Sequence, residues 1–289
     1  MAQLGAVRVA VLILLVMLSA AGPALSAPPA EIMDAPAAGR CRIEGWSAAV
    51  EANTTSLTSL VWSPFGRAEV GWEIYLPLIQ REIATACPAT SEGFAAALAV
   101  WQQSRGLPAD GMVSEAGFLI LKSAVQARRP FVAVITAGYC PETPDLITEA
   151  RREEGFGGKT VWMRPTALAA WRRMAAAARA EVPEIAANSD NLTIFSGYRS
   201  PSADAARCLT EGNCDGIVRA RCSVHRTGLA ADIYVGHAEG FSAVSTADPN
   251  RLFMTRTATY RWLLANAGRF GFVNYPFEPW HWEWTGETP

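Results

Sequence analysis

Residues 280–284, Trp280-His281-Trp282-Glu283-Trp284, alternate strictly between an indole and a polar side chain. A period of two marks a β-strand, because successive side chains point to opposite faces. The three tryptophans then face a core, and His281 and Glu283 share the other face. Two stretches upstream also read as strands. They are 192–195 (Leu-Thr-Ile-Phe), which ends at Ser196-Gly197, and 231–235 (Ala-Asp-Ile-Tyr-Val). Helical spacing appears around them. Leu168, Trp171, Ala175 and Ala178 fall on one face of a helix that Pro165 is placed to open. Residues 259–266 make another helix, with Gly268 as its stop. Helices and strands without a repeated βαβ unit predict an α+β fold with an antiparallel sheet.

Working outward, residues 70–128 are patterned as helices. Leu76, Ile79 and Ile83 recur on one face, and so do Phe94, Leu98 and Trp101. The run Gly106-Leu107-Pro108-Ala109-Asp110-Gly111 makes a turn, and a further helix includes Phe118–Lys122. This gives a plan of five segments. Residues 1–27 are a signal peptide, 28–60 a linker with a start rich in Pro and Ala, and 61–130 a small helical domain. Residues 131–158 form a connector marked by Pro141, Pro144, Gly155, Gly157 and Gly158, and 159–289 form the second domain.

The signal peptide is read from Arg8, the apolar run Val9–Ala20, and the small-residue stretch Ala24-Leu25-Ser26-Ala27. The apolar run is shorter than the roughly 20 residues that span a bilayer, so cleavage after Ser26 or Ala27 is expected. The mature chain is then secreted or periplasmic, with no stable membrane anchor. Its six cysteines, in an oxidising compartment, favour disulfides. Six cysteines allow about 15 pairings, among which the sequence does not choose; the set adopted is Cys41–Cys87, Cys208–Cys214 and Cys140–Cys222. No CxxC pair supports a thiolate metal site instead. A net charge of -2 carries no excess of Lys and Arg, which sets nucleic acid aside as a partner.

The chain of 289 residues has three histidines: His225, His237 and His281. Two of them sit among acids, in 223–232 (Ser-Val-His-Arg-Thr-Gly-Leu-Ala-Ala-Asp) and in 278–281 (Glu-Pro-Trp-His). Metal-assisted hydrolysis needs three His or carboxylate ligands with an open position for water. It also needs a separate carboxylate to take the water's proton and a donor facing the oxyanion. Two histidines and two acids in two clusters meet the first two demands. His237 belongs to no such cluster.

The stretch SVHRTGLAAD resembles the SxHxxGxAxD motif of the zinc D-alanyl-D-alanine carboxypeptidases and dipeptidases, and EPWH resembles their ExxH motif. SGYRS at 196–200 is similar to the VanY-like branch, and the three motifs stand in that family's order. The resemblance implies His225, Asp232 and His281 as zinc ligands and Glu278 as the general base. It implies Arg199 as the group that binds substrate and stabilises the oxyanion, with Ser223 bonding near the metal or the substrate. It implies zinc as cofactor, peptidoglycan stem peptides as substrate, and removal of a terminal D-alanine. The implied fold is the α+β type shared with the hedgehog signalling domain, a central antiparallel sheet with flanking helices, here preceded by a small helical domain.

The stretch FAAALAVWQQSRGLPADGMVSEAGFLIL resembles the small three-helix peptidoglycan-binding domain, which implies glycan strands as a further partner. A helical cap on the second domain is the alternative. Glu283 shares a face with His281 and is either a rival base or a partner that orients it. A peptidoglycan endopeptidase on the same zinc site and a wall-binding protein without catalysis are the other functional readings. The chain departs from the family pattern at Asp204, where Gln is frequent, and in the cysteine-bearing segment 207–222, which looks like an insertion.

Overall fold

The computed structural model describes residues 41–211 and 222–289. It begins with helix α1 (Ser47–Ser59), the paired short strands β1 (Val61–Trp62) and β2 (Glu69–Val70), and helices α2 (Leu76–Glu82), α3 (Glu92–Ser104), α4 (Glu115–Gln126) and α5 (Pro130–Ala137). A second short pair, β3 (Thr148–Glu149) with β4 (Trp162–Met163), precedes helices α6 (Pro165–Glu181) and α7 (Pro183–Ala186). Strand β5 (Ile194–Ser196), helix α8 (Pro201–Glu211) and strand β6 (Ala230–Ile233) follow. Helices α9 (Asp248–Arg256) and α10 (Ala258–Asn266), then strands β7 (Phe272–Tyr275) and β8 (Glu278–Trp284), complete the chain.

Local chemistry sets most of these boundaries. The hydroxyls of Ser91 and Ser114 accept from the amides of Phe94 and Gly117, and Glu92 and Glu115 stand in the first turns of α3 and α4. Such caps stabilise a helix by about 1 kcal/mol each. Pro130 and Pro165 occupy first positions of α5 and α6, where no amide hydrogen is needed. The expected apolar faces are buried: Phe94, Leu98 and Trp101 on α3, and Leu168, Trp171, Ala175 and Ala178 on α6.

The helix α1 lies in the stretch read as linker. It carries no apolar stripe, and its buried residues are Ala49 and Asn53. The Asn53 amide donates to the Gly111 carbonyl at 2.9 Å and its oxygen accepts from the Val113 amide at 2.9 Å, which pins α1 to the turn after α3. The Cys41–Cys87 disulfide ties the segment before α1 to the loop after α2. Helix α2 stops at Glu82, short of Ile83, which is nevertheless buried. Strand β5 starts at Ile194 because Leu192 has a left-handed φ of 71°. Gly268 does not end the chain's last α-helix. It sits in a 3-10 turn, Ala267–Phe270, and the left-handed Gly271 (φ 83°) makes the stop.

The fold is α+β. Its largest sheet is antiparallel with order β5-β6-β8-β7. Asp232 stands opposite His281 on one side and opposite Ser196 on the other. Trp280 and Trp282 are buried in a core that also takes in Trp72, Tyr75 and Phe94 from the helical half. Trp284 packs against that core, half-buried. The opposite face of β8 is buried as well: His281 is 4% and Glu283 0% exposed, with α5 packed against the strand.

Cys140 is bonded to Cys222, one residue before Ser223. Cys208 is disulfide-bonded, and its expected partner Cys214 lies outside the described residues, as do the signal peptide and residues 28–40 of the linker. Among the described residues no helix is long and apolar enough to cross a membrane.

Candidate metal centre

Three segments bring His225, Asp232 and His281 together. Ser223 caps a short 3-10 turn, Val224–Thr227, by accepting from the His225 amide at 3.2 Å. Gly228 ends that turn with φ 68°, and a Cβ there would meet the Arg164 backbone nitrogen at 3.2 Å. Strand β6 then starts and presents Asp232 directly across from His281 of β8. One donor atom from each of the three residues lies within 4.8 Å of the others, and all three residues are buried.

The hydrogen bonds around these three residues define which atoms face the centre. The Nδ1 of His225 lies 2.6 Å from the Gly197 carbonyl. A carbonyl only accepts, so Nδ1 carries the hydrogen and Nε2 is left to face Asp232 Oδ2 at 3.3 Å. Gly197 can serve here because a Cβ would sit 2.3 Å from the Trp162 carbonyl. The Nε2 of His281 meets Glu283 Oε1 at 3.1 Å, which leaves Nδ1 facing Asp232 Oδ1 at 2.9 Å. The two rings stand edge to face, 5.1 Å between centroids.

This arrangement calls for a cation. Burial raises the pKa of Asp232, but the charge and hydrogen bonds of His225 and His281 outweigh it and hold the carboxyl well below its usual range. Burial alone would lower the pKa of His281. The bonds to Asp232 and Glu283 reverse that and raise it to about 9. Both shifts favour positive charge between the His281 ring nitrogen and the Asp232 carboxylate. Two imidazole nitrogens and one carboxylate oxygen make a donor set that a divalent transition metal fits.

The other expected residues surround this cluster. Arg199 Nη1 donates to Ser223 Oγ at 3.1 Å, and the Arg199 amide donates to the His225 carbonyl at 3.1 Å. Burial lowers the Arg199 pKa, Arg207 adds to that, and Asp232 and Asp204 oppose it. Asp204 is buried. It accepts from the Ser223 amide at 3.0 Å and from Arg226 Nε at 2.7 Å, and it lies 3.5 Å from Arg199. The family departure at Asp204 therefore stands on α8 and holds the loop that carries Ser223.

Glu278 is half-buried at the start of β8. On an unbroken strand it would face away from His281, three residues on. The register breaks between Asn274 and Tyr275, so that Tyr275 pairs with Glu278, and the parity is lost. Asn274 Nδ2 donates to the His281 carbonyl at 2.8 Å and stabilises the break. Tyr275 links the two motif residues. Its ring meets His281 edge-on at 6.2 Å, and its pKa is pushed up to about 12, first by burial and next by the charge of Glu278.

Glu283 is held from the far side by Arg129 and by the Phe131 amide at 2.8 Å. Burial raises its pKa, but Arg129 and the bond to His281 bring it down to about 2. His237 stands outside the cluster, bonded to the Tyr234 hydroxyl at 3.1 Å. Arg129, Asn274 and Tyr275 had no local signal in the sequence. Each acts through a contact that only packing creates.

Residues 160–287 match the family model described as D-alanyl-D-alanine carboxypeptidase (VanY). A solved structure of the LdcB LD-carboxypeptidase, reported for its peptidoglycan recognition, aligns at 24% identity over 51% of this chain and 70% of that one, with a TM-score of 0.33. No curated protein matches the chain. The match falls on the residues that carry the ordered SGYRS, SVHRTGLAAD and EPWH motifs and the buried cluster, so residues 160–287 are similar to the VanY-like peptidases.

Proposed function

We propose that the protein is an exported zinc D,D-carboxypeptidase that removes the terminal D-alanine from peptidoglycan stem peptides. The observation that carries this reading is the convergence of His225, Asp232 and His281, with one donor atom of each within 4.8 Å, in a chain with three histidines. Two nitrogens and one carboxylate oxygen suit zinc, with further positions left for water and substrate. Zinc held there supplies Lewis-acid polarisation and activation of water at neutral pH.

The remaining steps belong to the chain's own groups. Glu278 takes the proton of the attacking water and later delivers it to the leaving amine, so one carboxylate serves as base and then acid. Arg199, braced by Ser223 and Asp204, presents a fixed cation to the charge that develops on the attacked carbonyl. Ser223 orients that cation and caps the turn that carries His225. Tyr275 stays protonated between Glu278 and His281. The substrate's terminal carboxylate is the feature a carboxypeptidase must recognise, and Arg199 is the candidate for binding it.

The plan 1–27, 28–60, 61–130, 131–158 and 159–289 goes with this reading. A signal peptide delivers the chain to the wall, and the helical region at 61–130 binds glycan strands. Export is supported by the two disulfides Cys41–Cys87 and Cys140–Cys222, which suit an oxidising compartment.

The test is D-alanine release from a pentapeptide stem by wild type and Glu278→Gln, with bound zinc quantified in both. Wild type should release D-alanine, and the variant should keep its zinc and lose about 10²–10⁴-fold in rate. Zinc retention without release by wild type would reject the carboxypeptidase reading. Equal cleavage of the C-terminally amidated peptide would replace it with an endopeptidase on the same site.

A further inference from the structure

The polar face of β8 is closed by a side chain from outside the family-matched segment. Arg129 lies just before α5 and is 6% exposed. Its Nε donates to Glu283 Oε1 at 2.7 Å, and Nη2 reaches the same oxygen. The Phe131 amide holds the other oxygen at 2.8 Å, so the carboxylate is fixed at both ends. Glu283 Oε1 is in turn the partner of His281 Nε2 at 3.1 Å. The Arg129 guanidinium also lies over the ring of Tyr275, 4.3 Å from its centroid, and Tyr275 is the aromatic edge beside His281. One side chain thus holds two of the groups that fix the His281 ring.

A buried ion pair is weak grounds for stability alone, because well-packed apolar residues often serve as well. An acid that receives a ligand histidine's second N–H is different. It selects the tautomer and sets the ring's orientation toward the metal. Glu283 can do this only while its own position is fixed, and Arg129 and the Phe131 amide do the fixing. The α5 end of the same segment is bonded to the metal loop through Cys140–Cys222, so both sides of the cluster are tied to residues 129–140.

We infer that Arg129 is a positioning residue for the candidate metal ligand His281, acting through Glu283 and Tyr275, and that the segment before the family-matched region is part of the catalytic unit. This rests on the metal reading of His225, Asp232 and His281.

The test uses the full secreted chain. Zinc affinity is measured by chelator competition for wild type, Arg129→Gln and Arg129→Lys, alongside thermal unfolding of each metal-free protein. Loss of a group that orients a metal ligand typically weakens the metal by about 10–100-fold, and Arg129→Gln should fall in that range. Arg129→Lys keeps the charge but lacks the planar fork, so it should lie between wild type and Arg129→Gln. Wild-type zinc affinity in Arg129→Gln, with a lowered metal-free unfolding temperature, would show a purely structural role and overturn the inference. If Arg129→Gln does not fold, Arg129→Lys decides: weakened zinc binding supports the inference and wild-type affinity rejects it. A wild type that binds no zinc would reject the metal reading and the inference with it, whereas a wild type and an Arg129→Gln that bind equally would reject the inference alone.

Discussion

Two buried clusters of charge touch the last strand and the turn before it, and they are built in opposite ways. Around Arg251, a cation from the chain fills the middle. Its Nε donates to the Phe277 carbonyl at 2.9 Å, Nη2 to the Tyr75 hydroxyl at 2.6 Å and Nη1 to Asp248 at 3.0 Å. Glu69 lies 3.3 Å from it, and the guanidinium rests 4.1 Å over the Phe277 ring. Around His225, Asp232 and His281 the middle is instead a set of donor atoms that face each other. The first cluster supplies its own cation and ties the helical half to the Phe277–Glu278 turn. The second needs a proton or a metal ion to be stable. Burial and charge are common to both. The identity of the central group separates the two clusters.

The largest effect that could break this contrast is at the donors. His281→Ala or Asp232→Ala should reduce bound zinc to background and take D-alanine release with it. Losing the several kcal/mol a metal supplies in the transition state corresponds to about 10³-fold or more in rate. Metal analysis of purified variants and a turnover assay check this. Full metal content in either variant would put the metal elsewhere.

The next effect is at Arg251. Arg251→Met leaves Glu69 and the Tyr75 hydroxyl without their cation, and breaking a buried pair in this way costs about 3–5 kcal/mol. Denaturant unfolding should show that loss, while the folded fraction keeps one zinc site of wild-type affinity. A folded Arg251→Met that no longer binds zinc would erase the distinction between the clusters.

The smallest effect is in pH, and its sign follows from the shifts. In metal-free protein His281 rises from 6.5 to about 9, so its stabilisation is complete below 6.5 and is lost as pH climbs toward 9. Glu283 falls from 4.5 to about 2, so its stabilisation is present above 4.5 and is lost as pH falls toward 2. Metal-free unfolding curves should therefore weaken on both flanks. Zinc affinity should rise with pH up to about 9, because metal and proton compete for the same His281 nitrogen. Chelator competition across pH measures this, and a flat profile would show that no proton holds the centre.

Much of the fold was legible locally. The alternation at 280–284 marks β8, and the spacing of Leu168, Trp171, Ala175 and Ala178 marks α6, because burial on one side imposes a period on each element. Helix α1 escaped because what it buries is an alanine and an asparagine, and asparagine reads as polar whether it faces water or a carbonyl. The stop at Gly271 rather than Gly268 escaped because either glycine can end a helix, and only the observed φ distinguishes them. Two motifs name His225, Asp232 and His281, the three residues that the structure brings together. The breaking of register that frees Glu278 from strand parity could not be read locally, since it depends on Asn274 bonding the carbonyl of His281.

By itself the amino-acid sequence determined the elements and the types of donor atom this protein carries, because helix and strand periods and motif spacings are properties of near neighbours. Tertiary structure alone decided which nitrogen of each histidine faces the centre, that Glu278 pairs with Tyr275 across a register break, and that Glu283 is tied to Arg129. Those outcomes depend on hydrogen bonds and charges between residues remote in the chain. Their strength is set by a dry interior that exists only once the sheet, the helices and the connecting segment have packed together.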